Sequence, residues 1–281
     1  MKSTSWCVVC LLSFLTSGVQ AQAPDRGASA VPFKLAHDFL IVIPGRIGDL
    51  SGLKFILDTG STHSTVNRKL ARTLGCQLHH KQVFDFDRFV QIETAVYSEV
   101  EFGPIQLTNV SMLVSDLSRV SEFAIDADAL IGSDLLSLNN FSIDYDSKKV
   151  FFGPRQGPTQ SASPHPVGMI LELQVEGYSL NVLVDTGVEG IVLFEDRLRT
   201  RLRQFGIAEG VKEVNVGGRL GAKQISLPEV RLGPTALNPK VLLVKGPPGD
   251  VLPGIAGYLG TMSLKARRID FDFATGTLSW R

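Results

Sequence analysis

The sequence predicts an all-β protein made of two similar barrel-like lobes, related by a pseudo-twofold axis and with one short helix each. Three observations lead to this fold class. Short runs of Val, Ile, Leu and Phe alternate with Gly, Pro and Asn turns. The same motifs appear once in each half of the chain. A segment rich in Gly, Pro and Ser separates the halves.

The internal repeat is the strongest of these signals. Residues Phe39–Thr62 and Gly168–Gly190 each have the pattern of a strand, a Gly turn, a second strand and an Asp-Thr-Gly triplet. The triplets begin at Asp58 and Asp185, 127 positions apart (185 − 58). Three further landmarks recur at similar offsets: Val100–Pro104 with Val230–Pro234, Leu130–Gly132 with Ile255–Gly257, and Ile143–Asp146 with Ile269–Asp272. The order and spacing of the four pairs indicate a tandem duplication.

The predicted organisation follows from the repeat and from the N-terminal composition. Residues 1–21 have a positive start, a short apolar run and a small-residue exit, which is typical of a secretory signal peptide. An uncleaved membrane anchor is the alternative. We expect a first lobe at 22–155, a linker at 156–164 and a second lobe at 165–281. The mature chain then keeps one cysteine, Cys76, and no internal disulfide. The protein is expected to be exported, to a bacterial periplasm or the extracellular space.

Composition excludes several classes of partner. Lys+Arg and Asp+Glu are balanced at 28 each, so no net field favours nucleic acid or an anionic membrane. The adjacent pair His79 and His80 has no other His or Cys at metal-ligand spacing. We therefore expect no metal, no cofactor, no nucleic acid and no membrane span that remains after signal cleavage.

Strands and helices are assigned from apolar periodicity and turn residues. The predicted strands of the two lobes are Leu40–Ile43, Lys54–Leu57, Val96–Phe102, Val110–Val114, Met169–Val175, Asn181–Val184, Val211–Val216 and Val241–Val244. One helix is expected after each triplet, at Asn67–Leu74 and from about Glu195 to Phe205.

The chemistry is expected at the two triplets. In each half an aspartate directly follows an apolar strand, and burial of a lone carboxylate is costly. Gly60 and Gly187 permit tight turns whose backbone N–H groups can meet the carboxylates. The hydroxyls of Thr59 and Thr186 can reach across and hold the loops together.

Two carboxylates at contact distance cannot both ionise easily, so they share a proton. The ionised Asp can take a proton from water, and the protonated Asp can hydrogen-bond a substrate carbonyl and later protonate the leaving amine. Asp58 and Asp185 are therefore the predicted catalytic residues for hydrolysis of an amide.

These motifs resemble those of aspartic peptidases of the pepsin and retropepsin group, in particular bacterial proteins with two retropepsin-like lobes in tandem. The resemblance implies the acid-protease fold and assigns support of the active-site loops to Thr59, Gly60, Ser61, Thr186 and Gly187. It also implies that Leu130–Gly132 and Ile255–Gly257 are strands behind those loops. One departure is Val188, which stands where the first lobe has Ser61. Loss of a hydrogen bond there would raise the dyad's pKa or make the two aspartates unequal.

Flaps over the substrate are expected about thirty residues after each aspartate. The candidate substrate-binding residues are Phe86 and Phe89 in the first lobe and Gly217 and Gly218 in the second. Ordinary exposed hairpins are the alternative for both segments.

The leading functional hypothesis is a monomeric endopeptidase that acts on peptides or proteins. The first alternative is a catalytically weak or silent peptide-binding protein of the cell envelope. The second is a narrow processing enzyme with few substrates, which the sequence does not separate from a general endopeptidase.

Overall fold

The computed structural model describes residues 20–21, 29–85, 88–117, 126–153, 163–165, 168–198, 212–216, 220–247 and 252–281. It confirms the all-β, two-lobed fold, with the strands arranged in three sheets. One sheet belongs to each lobe, and the third joins them.

Over the described residues, the sheet of the first lobe has nine strands. Their bounds are β1 Gln20–Ala21, β3 Lys34–Ala36, β4 Leu40–Ile47, β5 Leu50–Leu57, β6 Thr65–Asn67, β7 His79–Asp85, β8 Arg88–Phe102, β9 Ile105–Ser115 and β10 Ala129–Ile131. All four strands predicted for this lobe lie within these bounds.

In the described part of the second lobe, the sheet has ten strands. They are β13 Ser163–His165, β14 Gly168–Val175, β15 Tyr178–Asp185, β16 Ile191–Phe194, β17 Lys212–Val216, β18 Leu220–Ile225, β19 Val230–Leu232, β20 Thr235–Leu237, β21 Val241–Val244 and β22 Gly257–Gly260. The predicted linker lies outside the described residues, except for Ser163 and Pro164, which belong to β13. The predicted strand at 211–216 is observed from Lys212.

The lobes repeat the same strand pairings. In the first lobe, β10 is parallel to β5 and antiparallel to β6, and β6 is parallel to β9. In the second lobe, β22 is parallel to β15 and antiparallel to β16, and β16 is parallel to β21. The duplication seen in the sequence is therefore a duplication of topology.

Two prolines explain the main difference between the sheets. Strands β8 and β9 are long, with 15 and 11 residues. Their second-lobe counterparts are each split in two, with Pro228 between β18 and β19 and Pro239 between β20 and β21. Proline has no N–H to donate to a ladder, so each one interrupts its strand.

The third sheet joins the lobes. Its five strands run in the order β2, β12, β11, β23, β24. Their bounds are β2 Ser29–Pro32, β11 Phe141–Asp144, β12 Lys149–Phe152, β23 Arg268–Asp272 and β24 Thr277–Trp280. Strand β11 of the first lobe pairs antiparallel with β23 of the second, with Phe141 opposite Phe271. These two buried rings stack with centroids 4.7 Å apart. The main apolar core is continuous across both lobes.

Short helices follow the strands that lead to the predicted site. Helix α1 (Arg68–Thr73) confirms the first predicted helix, and the Asn67 side chain caps it by accepting from Lys69 N at 3.0 Å. The second predicted helix is helical over 195–198, and its remaining residues lie outside the described part. A four-residue helix, α2 (Ser133–Leu136), and a 3₁₀ helix (Thr261–Leu264) also follow β10 and β22.

Of the predicted signal segment, the structure describes the last two residues. These form β1, where Gln20 and Ala21 pair with Thr108 and Leu107. Over the described ranges, no helix has the length and apolarity needed to span a bilayer. Signal cleavage and export stay predictions.

Substitution Phe141→Ala should destabilise the protein by ~3–5 kcal/mol, because it removes a buried ring from the sheet that joins the lobes. Urea denaturation measures the free energy of unfolding. Phe151, on β12, is half-buried and lies beneath the Arg268 guanidinium, so Phe151→Ala should cost only about 1 kcal/mol. Equal losses of unfolding free energy in the two variants would contradict the proposal that the core between the lobes contributes more to stability than the half-buried side chain of Phe151.

Candidate active site

The two predicted aspartates stand at the ends of equivalent strands. Asp58 follows the last residue of β5, and Asp185 is the last residue of β15. Both side chains are buried, with relative exposures of 2% and 1%. Each carboxylate accepts from the glycine two residues later. The distances are 3.0 Å from Gly60 N to Asp58 Oδ1 and 2.6 Å from Gly187 N to Asp185 Oδ1.

Four hydrogen bonds between the lobes hold the two loops together. Thr59 Oγ1 donates to Val184 O at 2.9 Å, and Thr186 Oγ1 donates to Leu57 O at 2.7 Å. Each hydroxyl oxygen also accepts a backbone N–H of the other lobe. Thr186 N donates to Thr59 Oγ1 at 3.1 Å, and Thr59 N donates to Thr186 Oγ1 at 3.0 Å. Both threonines are buried, so these bonds satisfy groups that water cannot reach.

The glycines of the triplets let the loops come close enough for the carboxyls to meet. A Cβ on Gly60 would lie 2.2 Å from Asp185 Oδ2, and a Cβ on Gly187 would lie 2.8 Å from Asp58 Oδ2. Each Gly therefore packs against the carboxyl of the opposite lobe. Any larger residue at either position would push the two carboxyl groups apart.

Burial and mutual repulsion shape the acidity of the pair. Burial raises the pKa of Asp185 well above its ordinary value, and the Asp58 charge raises it further. Burial also raises the pKa of Asp58, but a hydrogen bond with Asp185 and bonds from the Ser61 and Gly60 backbones oppose that rise. Asp185 is thus the carboxyl that keeps the shared proton, and Asp58 is the one that ionises first.

The hydrogen-bond donors account for this inequality. Asp58 Oδ1 accepts from two backbone N–H groups, those of Gly60 and Ser61, each at 3.0 Å. Within the described part of the chain, Asp185 Oδ2 is buried and has no hydrogen-bond donor. A proton on Asp185 that faces Asp58 would satisfy this oxygen.

The expected hydroxyl contact of Ser61 is not found. Its Oγ donates to His63 O at 2.9 Å, while its backbone N–H binds Asp58. The side chain closes the loop rather than touching the carboxylate. Replacement of Ser61 by Val188 in the second lobe therefore does not remove a hydroxyl bond to the carboxylate. The two aspartates nevertheless differ in pKa.

One predicted repeat pairing is wrong in register. Strand β10 places Ile131 opposite Leu57, and β22 places Leu259 opposite Val184. The counterpart of Leu130–Gly132 is thus Tyr258–Gly260, at an offset of 128 (260 − 132), and not Ile255–Gly257. Both segments have an apolar-apolar-Gly or similar pattern, so composition alone did not separate them.

Gly132, which follows β10, and Gly260, the last residue of β22, both contact the loops of the triplets. A Cβ on Gly132 would lie 2.9 Å from Ser61 O, and a Cβ on Gly260 would lie 2.3 Å from Val188 O. Glycine is therefore required at both positions for the strand to pass directly behind the loop.

A polar pair behind the first loop was missed by the sequence reasoning. Asp134, at the start of α2, accepts from Ser64 Oγ at 2.6 Å, from Ser64 N at 2.9 Å and from Leu135 N at 3.0 Å. Burial raises the pKa of the Asp134 carboxyl to about 6, although these hydrogen bonds oppose the rise. The available signal was an acidic residue two positions after Gly132, the glycine that follows β10.

The flap candidates fall largely outside what is described. Strands β7 and β8 form a hairpin in which Asp85 pairs with Arg88. Phe86 stands between these two residues in the sequence and is outside the described residues, as is the side chain of Phe89 in β8. Gly217 and Gly218 lie between the paired strands β17 and β18 and are likewise outside the described residues. Substrate contact by these four residues stays a prediction.

His63 lies at the edge of the first loop. Its Nδ1 is 3.0 Å from Thr62 Oγ1, and burial together with the Lys81 charge lowers its pKa to about 4. The imidazole is therefore neutral at physiological pH. Among the residues that the structure describes, no three His, Cys, Asp or Glu side chains form a group that could hold a metal ion.

Comparison with protein families gives a match to part of the first lobe. Residues 43–135 match the family model described as an aspartyl protease. This range runs from β4 to α2, so it contains the first Asp-Thr-Gly loop, the strand behind it and the Ser64–Asp134 pair. No curated protein matches the chain. The first lobe is thus similar to an aspartyl protease domain.

Substitution Thr59→Val keeps the side-chain shape but removes two hydrogen bonds between the lobes. Because it leaves the buried Thr186 N and Val184 O without partners, we expect a loss of ~2–4 kcal/mol in the free energy of unfolding. Thr59→Ser, which keeps the hydroxyl, is the matched control and should lose less. Urea denaturation of both variants checks this, and equal losses would mean that the hydroxyl bonds add little.

Substitution Asp185→Asn should stabilise the protein at neutral pH. The raised pKa means that the folded state binds more protons than the unfolded state. The free energy of unfolding of the wild type therefore falls as pH rises from the ordinary Asp pKa, about 3.9, through the raised value. Asparagine keeps the bond from Gly187 N and cannot ionise, so this fall should be smaller in the variant.

Thermal unfolding across that pH range measures the effect. Asp58→Asn should shift stability in the same direction but less, because the pKa of Asp58 is raised less than that of Asp185. If the unfolding free energy of the variants depends on pH as steeply as that of the wild type, ionisation of the pair does not destabilise the fold.

Proposed function

We propose that the protein is an aspartic endopeptidase that hydrolyses peptide bonds with a water activated between Asp58 and Asp185. The observation that supports this most directly is the meeting of two buried carboxyls, one from each lobe, in loops joined by reciprocal threonine bonds. The aspartyl protease match of residues 43–135 supports the same class of activity for the first lobe.

The unequal acidity of the pair assigns a role to each carboxyl. Asp58, the ionised partner, takes a proton from the water while the water oxygen bonds to the peptide carbonyl carbon. Asp185 gives its proton to the carbonyl oxygen, so the intermediate is a neutral gem-diol. Asp58 then passes its proton to the amide nitrogen while one diol hydroxyl returns a proton to Asp185. The C–N bond breaks, and the pair regains its starting state.

Burial increases the effect of these proton transfers. In a site shielded from water, a carboxyl's proton affinity is set by the few groups around it, here the N–H groups of Gly60, Ser61 and Gly187. In this proposal a peptide binds in an extended form between the lobes, where both carboxyls can reach its carbonyl. The hairpins β7–β8 and β17–β18 are the proposed covers of that site.

We place the protein among tandem two-lobed bacterial aspartyl proteases, because both Asp-Thr-Gly loops are intact and each lobe supplies one half of the pair. Since one chain contains both aspartates, a monomer suffices for activity. The N-terminal composition supports export to the periplasm or the extracellular space.

The test is cleavage of a mixed peptide library by the chain from Gln22, from acidic to neutral pH. We expect Asp58→Asn and Asp185→Asn each to lower kcat/KM by at least ~10²–10⁴-fold, because each removes one proton-transfer group. Asp144→Asn is the control. This residue accepts from Ser147 N in a turn outside the site, so its substitution should leave cleavage unchanged.

Two results would overturn the proposal. One is cleavage by both Asn variants at the wild-type rate. The other is peptide binding by the wild type with no cleavage at any pH, which would support the peptide-binding alternative instead. Pepstatin, a peptide analogue of the diol intermediate, should inhibit the wild type and protect it from thermal unfolding.

A further inference from the structure

A chain of hydrogen bonds runs from Asp134 to the strand behind the first catalytic loop. Ser64 Oγ donates to Asp134 Oδ1 at 2.6 Å and accepts from Gly132 N at 2.9 Å. Ser64 is fully buried. Because its backbone N–H also donates to Asp134, at 2.9 Å, the serine is held at two points and its hydroxyl has a fixed direction.

Gly132 lies between the two backbone bonds that fix the loop. On one side, Asp58 N donates to Ile131 O at 3.0 Å. On the other, Ser133 N donates to Ser61 O at 2.7 Å. The position of Gly132 therefore determines where the loop begins and ends, and with it the N–H groups of Gly60 and Ser61 that face Asp58.

The second lobe holds its loop in another way. There, Gly260 N donates directly to Gly190 O at 2.6 Å, a bond between backbones. The residues that correspond to Ser64 and Asp134 are Ile191 and Met262, which cannot form the side-chain bonds. In the first lobe the equivalent carbonyl, His63 O, accepts from Ser61 Oγ instead. A side-chain pair thus replaces a backbone bond on the Asp58 side alone.

We propose that Asp134 is a positioning residue for Asp58: through Ser64 and Gly132 it keeps the Gly60 and Ser61 N–H groups aimed at Asp58 Oδ1, and so keeps Asp58 the ionised member of the pair. This inference rests on the proposed peptidase function for its kinetic consequences. The second lobe has no such pair, so the effect is confined to Asp58.

The test compares Asp134→Asn and Ser64→Ala with the wild type. In Asp134→Asn, an amide NH₂ replaces one of the carboxylate oxygens that accept from Ser64 N and Ser64 Oγ. In Ser64→Ala, the hydroxyl that accepts from Gly132 N is lost. We expect kcat on a cleaved peptide to fall ~10- to 100-fold, with KM changed less than about threefold, because the loop shifts while the binding surfaces remain. The acid limb of the kcat profile should move to higher pH, because Asp58 loses bonds that favour its charge.

The matched control is Asp128→Asn. Asp128 precedes β10 at the end remote from the loop, and its carboxylate accepts from Lys54 N at 2.8 Å. It is a carboxylate that holds backbone in the same lobe, without a link to Ser64. Its substitution should leave kcat and the pH profile as they are. Urea denaturation of each variant gives the folded fraction, to which the rates are corrected.

A second readout does not depend on cleavage. Carboxyl ¹³C resonances of the aspartates, titrated by NMR, report the ionisation of the pair directly. We expect Ser64→Ala and Asp134→Asn to raise the titration midpoint of Asp58, and Asp128→Asn to leave it unchanged. If the wild type cleaves peptides but neither variant moves the midpoint or kcat, the positioning role is wrong and the peptidase function stands. If the midpoint moves while the wild type cleaves nothing, the positioning role stands and the peptidase function is wrong.

Discussion

Mutual burial of two carboxyls is the constraint on which the rest of the molecule depends. Like charges at contact destabilise a fold unless other interactions offset the repulsion. Here the offset comes from the reciprocal threonine bonds, which join each loop to the strand that precedes the other. These bonds require both lobes, so neither lobe can complete the site alone. The continuous core and the shared five-stranded sheet keep the lobes in the one arrangement that allows the four bonds.

Symmetry of the backbone coexists with asymmetry of the chemistry. The pairings of β5 with β10 and of β15 with β22 are equivalent, yet Asp58 accepts two backbone N–H bonds from its own loop and Asp185 accepts one from its own. Duplication thus supplied two similar carboxyls, and later differences in the loops made them unequal. Two equal carboxyls would also share one proton, but unequal acidity makes the same member the acceptor and its partner the donor in every turnover.

Features that depend on neighbouring residues in the chain were predictable from the sequence. Contacts that depend on how distant strands pair were not. The triplets and helix α1 follow from Gly turns, apolar strands and the Asn67 cap, which are local features. The counterpart of Gly132 was misassigned because Gly257 and Gly260 lie three residues apart, and only the pairing of β22 with β15 distinguishes them. Ser64 and Asp134 are 70 positions apart, so their contact depends on how β6 and β10 pair. The contact of the Ser61 hydroxyl with His63 O depends on the backbone geometry of the loop, which composition does not specify.

The sheet that joins the lobes has a consequence for how the chain is made. Strand β11 ends at Asp144, but its partner β23 begins only at Arg268, 124 positions later (268 − 144). Until β23 has been made, the edge of β11 opposite β12 is unpaired, and unpaired edges promote aggregation. Contacts of such long sequence separation also slow folding. The first lobe therefore exposes an unpaired strand edge during translation until β23 has been synthesised.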